Sequence, residues 1–253
     1  MELGFIDRYS TLASPIHRLD PRAKAALTLA FILIVVSTPP QRLLAFVIYA
    51  GLLSWTLALA HVPLGFALRR AALVLPFSAL VAIGLPFVKG GDTISLLGGR
   101  LALSIAGLWL LASVVMKSFL GALSVVLLVS TTPFSSLLAG LRALRAPAIL
   151  IDVLALTYRY IFLLTDQAMR IKRAAVARGY RPRWLPQAVI VGRMVGSLFV
   201  RSYERAERVY GAMLLRGYSG LMPPAHPLTF RFRDAVTLAV LLPALITVRI
   251  FVR

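Results

Sequence analysis

Five long apolar runs divide this chain of 253 residues, and they constrain its fold more than any other feature. A helix needs about 20 mostly apolar residues to cross the hydrocarbon core of a bilayer. Hydrophobic residues make up 59% of the chain, above the share of about 45–50% that is typical of soluble domains. We therefore predict an all-α membrane protein with about five transmembrane helices. The runs are Ala25–Ser37, Leu43–Ala60, Ala71–Val88, Leu101–Ser130 and Ala235–Phe251.

Local signals refine three of these runs. Asp20 followed by Pro21 is typical of a helix start, with an N-cap acid and a proline at the first helical position. Pro76 and Pro86 predict kinks within the third run. The fourth run is longer than a bilayer requires, so we expect it to tilt or to break near Lys117.

The distribution of charge predicts the topology. The net charge is +19, and 14 of the 28 Lys and Arg residues fall within 142–216, against four acids. Such an excess of basic residues disfavours translocation, so we predict a cytoplasmic module at 131–233. This gives an N-terminal membrane part at 1–130 with four spans and a C-terminal transmembrane helix at 234–253. The basic residues alternate with apolar segments, which argues against nucleic-acid binding.

The basic module divides into three predicted helices, over about 132–145, 149–178 and 186–216. The two longer helices are amphipathic, with charged residues on one face. On the second helix that face carries Arg159, Asp166, Arg170 and Arg173. On the third helix it carries Arg193, Ser197, Arg201, Glu204 and Arg208, and the spacing of the last three favours ion pairs.

Both long helices end in the same way. The segments Ala177-Arg178-Gly179 and Leu215-Arg216-Gly217 lie 38 residues apart. Glycine after a helix adopts the left-handed conformation and releases the chain sharply, so each arginine is expected to project from a helix tip. One such end is ordinary capping chemistry. Two of them in a basic module favour docking into two acidic grooves, where a guanidinium binds carboxylates well.

Several motifs now support a resemblance. They are Ser197–Arg208 leading into Arg216-Gly217-Tyr218, Leu156–Tyr160, Thr131–Phe134 and His17–Arg22. These segments resemble the CbiQ family of cobalt transport proteins, which are the transmembrane (T) components of energy-coupling factor transporters. Ala177 matches the family's usual Ala-Arg-Gly motif, whereas Leu215 stands in place of the alanine in the second motif.

The resemblance implies partners for the chain. A T component joins a substrate-binding membrane (S) subunit to two cytoplasmic ABC ATPase subunits, which bind ATP and Mg. By this likeness Arg178 and Arg216 would dock into the ATPases, and the chain itself would be non-catalytic and bind no cofactor or metal. The expected location is the bacterial inner membrane, and the expected cargo is cobalt, with nickel or a vitamin as alternatives. The supporting charges on the long helices are Arg159, Arg201, Glu204 and Arg208.

Two other classes of function remain open. A membrane enzyme needs an acid–base pair, a nucleophile or metal ligands, but the chain has no Cys and three scattered His residues. It also has no nucleotide-binding P-loop motif. Asp152 and Asp166 are more readily explained as solvated or ion-paired carboxylates. A self-contained secondary carrier needs ionisable groups at membrane depth, where Lys117 is the clear candidate. An interhelical contact, or a helix break with the amine reaching the interface, explains this lysine better.

Overall fold

The computed structural model describes residues 12, 14–88, 93–96, 101–180, 188–220 and 231–251. The chain forms two compact units, Arg142–Ala225 and a second unit made of Glu2–Leu141 with His226–Arg253. The helices of the described residues are α1 Pro21–Ser37, α2 Leu43–Leu59, α3 Leu64–Ala72, α4 Leu75–Ala82, α5 Leu85–Val88, α6 Ile105–Thr131, α7 Phe134–Ala143, α8 Ala148–Ala177, α9 Ala188–Leu215 and α10 Phe232–Phe251.

Helix α1 begins where the sequence predicts. The Asp20 side chain accepts a hydrogen bond from the backbone N–H of Arg22 at 2.8 Å, and Pro21 occupies the first turn. The carboxylate thereby satisfies one of the backbone donors that every helix start leaves free.

The third apolar run is divided into separate helices, whereas the sequence predicted kinks within one helix. Helix α3 ends at Ala72 and α4 ends at Ala82, four residues before Pro76 and Pro86 respectively. A proline has no N–H to donate and its ring collides with the carbonyl group four residues earlier. Each proline therefore ends the preceding helix and begins another. The predicted start of this run at Ala71 was also wrong, because helical structure begins at Leu64.

Of the two alternatives predicted for the fourth run, a tilt or a break near Lys117, the structure excludes the break. Helix α6 is continuous over 27 residues, a length of about 40 Å. The first residues of the predicted fourth run instead form a strand, β2 Leu101–Ser104, which pairs antiparallel with β1 Thr93–Leu96. Ser104 then caps α6. The Lys117 Nζ donates a hydrogen bond to the Val36 carbonyl oxygen at 2.8 Å, so this lysine makes an interhelical contact.

The unit that contains α1 to α6 and α10 has a buried apolar core and a strongly apolar exterior. Phe46 and Tyr49 are completely buried, whereas Phe77 and Val81 are 72% and 80% exposed. A surface of this kind suits lipid better than water. The spans Leu64–Ala82, α6 and α8 are long and apolar enough to cross a membrane, and α2 is a shorter apolar helix. The prediction of an all-α membrane protein is confirmed, with one short hairpin added to it.

Candidate functional site

The end of α8 is a complete Schellman cap. The Gly179 N–H donates to the Val176 carbonyl at 3.0 Å, and the Tyr180 N–H donates to the Ala175 carbonyl at 3.0 Å. Gly179 has a φ of 85°, which a residue with a side chain rarely adopts. Arg178 is therefore the last residue before the chain turns away from the helix axis.

The end of α9 repeats this geometry. The Gly217 N–H donates to the Leu214 carbonyl at 3.0 Å, and the Tyr218 N–H donates to the Met213 carbonyl at 3.0 Å. Gly217 has a φ of 81°. The two Arg-Gly ends thus share both hydrogen bonds and the left-handed glycine, so the sequence repetition is also a repetition of structure.

Each Arg-Gly end presents an arginine beside apolar side chains. Arg178 and Arg216 are exposed, and neither guanidinium has an ion pair among the described residues. Two residues before each arginine, Val176 and Leu214 are 52% and 50% exposed, and Leu215 is 92% exposed. Exposed apolar surface beside an arginine is compatible with a protein-binding surface, where arginine is enriched.

Helices α8 and α9 run in opposite directions along a shared groove. Residues from Arg170 to Arg178 line one cavity with the first half of α9, and Leu156 to Leu164 line a second cavity with Ser202 to Met213. Arg178 lies beside the part of α9 that contains Arg193. Arg216 follows 23 residues later, which places the two tips about 35 Å apart along a helix. The tips therefore lie at well-separated positions on one packed pair of helices.

The predicted charged faces are brought together only in part. Arg170 of α8 meets Arg193, Ser197 and Arg201 of α9 around the first cavity. Arg159 is exposed and lines neither cavity. The favourable spacing on α9 produces one contact, between Arg208 and Glu204 at 4.0 Å, with the two side chains 70% and 55% exposed. An ion pair as exposed as this one contributes little to stability.

Asp152 is held by a structural ion pair. Its carboxylate accepts from the Arg142 guanidinium at 3.1 Å, and the residue is 5% exposed. This contact joins the last turn of α7 to the first turns of α8. Of the two alternatives predicted for Asp152, a solvated or an ion-paired carboxylate, the structure shows the ion pair.

Lys24 is a buried cation that the sequence did not single out as important. Its Nζ donates to the backbone carbonyl oxygens of Thr131 at 2.8 Å and His17 at 3.1 Å, and to Thr132 Oγ1 at 3.3 Å. The ammonium group can donate three hydrogen bonds, and all three are made. Two of the acceptors lie at the C-terminal end of α6, where a positive charge also complements the helix dipole.

Asp234 is the acidic residue that completes this cluster. One carboxylate oxygen accepts from the Asp20 N–H at 2.9 Å, and the other accepts from the Arg231 N–H at 2.8 Å. Asp234 is 2% exposed, and its charge acts on Lys24 together with that of Asp20. The residues Asp20, Lys24 and Asp234, named here the polar clamp, join the N-terminal end of α1 to α6 and α10.

Metal ligands do not gather in the described parts of the chain. No group of three or more His, Asp or Glu side chains that could hold a metal ion occurs among them.

The arrangement at the two helix ends is suited to binding an acidic protein surface.

A family model described as cobalt transport protein, CbiQ, matches residues 13–227. This chain belongs to the CbiQ family. The match includes both Arg-Gly ends and most of the membrane unit, so the resemblance of the sequence motifs is confirmed over most of the chain.

Curated relatives agree with this membership. The cobalt transport protein CbiQ of Rhodobacter capsulatus is 32% identical over 238 residues, which are 90% of this chain and 92% of that protein. The energy-coupling factor transporter transmembrane protein EcfT of Listeria innocua is 29% identical over 235 residues, with shares of 87% and 86%. The nickel permease LarQ of Lactiplantibacillus plantarum is 34% identical over 122 residues, with shares of 48% and 43%.

Two motifs of this CbiQ-family chain meet at the polar clamp although they are far apart in sequence. His17–Arg22 supplies the N-cap of α1 and one acceptor for Lys24, and Thr131–Phe134 supplies the other two acceptors. These contacts give both motifs a structural role in the membrane unit.

Proposed function

We propose that this chain is the transmembrane coupling (T) component of an energy-coupling factor importer for a transition-metal ion, with cobalt as the first candidate. The observation that carries the proposal is the pair of identical Schellman caps, each presenting one exposed arginine. Membership of the CbiQ family and likeness to an EcfT protein support it. The nickel permease among the relatives makes nickel the second candidate.

The geometry suits a non-catalytic role in transmission. Two ABC ATPase subunits bind ATP and Mg, and each offers an acidic groove to one Arg-Gly end. Arg178 and Arg216 pair with carboxylates there, while the exposed apolar side chains beside them exclude water. Because α8 and α9 are long helices that pack together, they transmit a movement of either ATPase to the rest of the chain as a rigid-body movement. The substrate-binding membrane (S) subunit receives this movement and releases its cargo.

The proposed topology places these contacts on the cytoplasmic side of the bacterial inner membrane. The membrane part is 1–130, the coupling-helix module is 131–233 and the last transmembrane helix is 234–253. The excess of basic residues in 142–216 supports this orientation. Arg159, Arg201, Glu204 and Arg208 are proposed as supporting charges on the two coupling helices.

Uptake by reconstituted vesicles tests the proposal. The chain is combined with candidate ATPases and a candidate S subunit from the same organism, and the uptake of radioactive cobalt, nickel and a labelled vitamin is followed with and without ATP. We expect ATP-dependent cobalt uptake at least about tenfold above background, because ATP hydrolysis by the partners drives release through this chain. Omitting the chain removes the uptake.

The same preparation separates the alternatives. Faster uptake of nickel or of the vitamin reassigns the cargo but keeps the coupling role. Uptake by the chain alone under an ion gradient contradicts the coupling role and supports a secondary carrier. Tight stoichiometric binding of cobalt to the isolated chain, measured by calorimetry, contradicts the assignment of the ion to a partner subunit.

A further inference from the structure

The cavity between the end of α8 and the first half of α9 concentrates positive charge. It has a volume of about 620 Å³, and its lining among the described residues contains four arginines but no Asp or Glu. Those arginines have no ion pair among the described residues. Four guanidinium groups around one concave surface repel one another, so an anion gains both charge neutralisation and hydrogen bonds by entering it. The four are Arg170, Arg178, Arg193 and Arg201.

The floor of the same cavity is apolar. This apolar floor consists of the lining residues Ile171 and Ala174 of α8 and Ile190 and Met194 of α9. A free inorganic anion makes no use of hydrocarbon side chains. A molecule that joins a phosphate to a hydrocarbon chain satisfies both parts of the lining.

The composition of the two helices indicates where such a molecule comes from. By composition α8 is apolar enough for contact with lipid. Four of the five basic residues between 148 and 178 lie at its C-terminal end, from Arg170 to Arg178, and Arg159 lies in its middle. An amphipathic helix with apolar residues and a basic cluster lies along the membrane surface at the level of the lipid headgroups, which agrees with a module on the cytoplasmic side.

We propose that this cavity binds the headgroup of an anionic phospholipid. The phosphodiester lies among the guanidinium groups of Arg170, Arg193 and Arg201, which leaves Arg178 to the ATPase, and the glycerol and the first acyl carbons lie against the apolar floor. The site adjoins Gly179 and Tyr180, so a bound lipid contacts the base of the first Arg-Gly end. This lipid site goes beyond the coupling role, because it requires neither the ATPases nor the transported ion.

Binding of short-chain lipids to the purified full chain tests the site. The chain is kept in an uncharged detergent and titrated by calorimetry with dihexanoyl phosphatidylglycerol, dihexanoyl phosphatidylcholine or inorganic phosphate. We expect one phosphatidylglycerol per chain, bound at least about tenfold more tightly than either of the others. The double variant Arg170→Gln with Arg193→Gln is expected to weaken phosphatidylglycerol binding about tenfold, since each basic group near a headgroup contributes to affinity.

Two further variants make the result specific. Lys172→Gln with Arg173→Gln also removes two positive charges, both from α8 and both outside the cavity. It should change the affinity less than twofold. Ala174→Phe fills the apolar floor without changing any charge and should weaken binding about as much as the arginine variant does, which keeps the test valid if that variant does not fold.

Three results would overturn the lipid site. They are equal losses in the cavity variant and its charge-matched control, phosphate binding as tight as phosphatidylglycerol binding, and no loss in either Ala174→Phe or the arginine variant. Arg216→Ala, at the other helix end, is expected to leave lipid binding unchanged. A failure of ATPase docking is therefore distinguishable from a failure of the lipid site.

Discussion

Replacing Arg178 and Arg216 together by alanine is expected to abolish ATPase association and transport while membrane insertion stays intact. Each guanidinium is exposed at a Schellman-capped helix end and has no ion pair among the described residues, so the folded chain does not need it. An arginine at the centre of an interface typically contributes about 2 kcal/mol or more, and two such losses weaken association about a thousandfold. Co-purification with the ATPases and metal uptake in vesicles measure the two effects.

The charge-matched control for this experiment is the double variant Lys172→Ala with Arg173→Ala. It removes two positive charges from the same helix but leaves both Arg-Gly ends unchanged, and we expect association within about threefold of the wild-type value. The single variants Arg178→Ala and Arg216→Ala should each keep one docking point and give intermediate association. Full transport by the tip double variant would rule out the coupling role of these arginines.

The helix ends are the part of the site that local sequence signals predicted well. Glycine after Arg178 and after Arg216 gives a left-handed residue at a fixed place, and the structure has one at each. The breaks before Pro76 and Pro86 have the same local origin, because each proline acts on a carbonyl group only four residues away. Whether the tips dock on ATPases stays a prediction.

The polar clamp could not be predicted from the sequence, because its contacts link distant parts of the chain. The hydrogen bond from Lys24 to the Thr131 carbonyl spans 107 residues, and the one from Asp20 to Asp234 spans 214. Hydrophobic periodicity gives the face of a helix but not its partner. The sequence shows Lys24 and Asp234 at the ends of apolar runs, but no sequence pattern indicates that the two residues interact.

Helix α8 shows a second limit of sequence patterns. Its first half is rich in Leu and Ile, whereas its second half is basic. The helix therefore satisfies the length and composition of a membrane span, although its charged face predicts an amphipathic helix. A hydropathy average does not distinguish a membrane span from an amphipathic surface helix here, because the apolar and the basic half lie within one 30-residue helix.

Asp234→Ala is expected to destabilise the membrane unit strongly. The substitution leaves the N–H groups of Asp20 and Arg231 without their carboxylate acceptor and removes a negative charge that acts on the buried Lys24. An unsatisfied buried donor costs about 1–3 kcal/mol, so we expect a loss of about 3 kcal/mol in the free energy of unfolding. Thermal unfolding of the purified chain in detergent measures it. Asp166→Ala, which removes an exposed carboxylate from α8, should stay within about 0.5 kcal/mol of the wild type.

A double-mutant cycle then tests whether the clamp acts as a unit. Lys24→Met alone leaves the buried carboxylates of Asp20 and Asp234 without the neighbouring positive charge, and it frees the carbonyl of Thr131. When Asp234→Ala is added, one of these two carboxylates is no longer present. The electrostatic cost of losing the lysine charge is therefore smaller. The double variant should therefore lose less stability than the sum of the single variants, by about 1 kcal/mol or more. Strict additivity would show that Lys24 and Asp234 stabilise their helices independently, through their separate backbone hydrogen bonds.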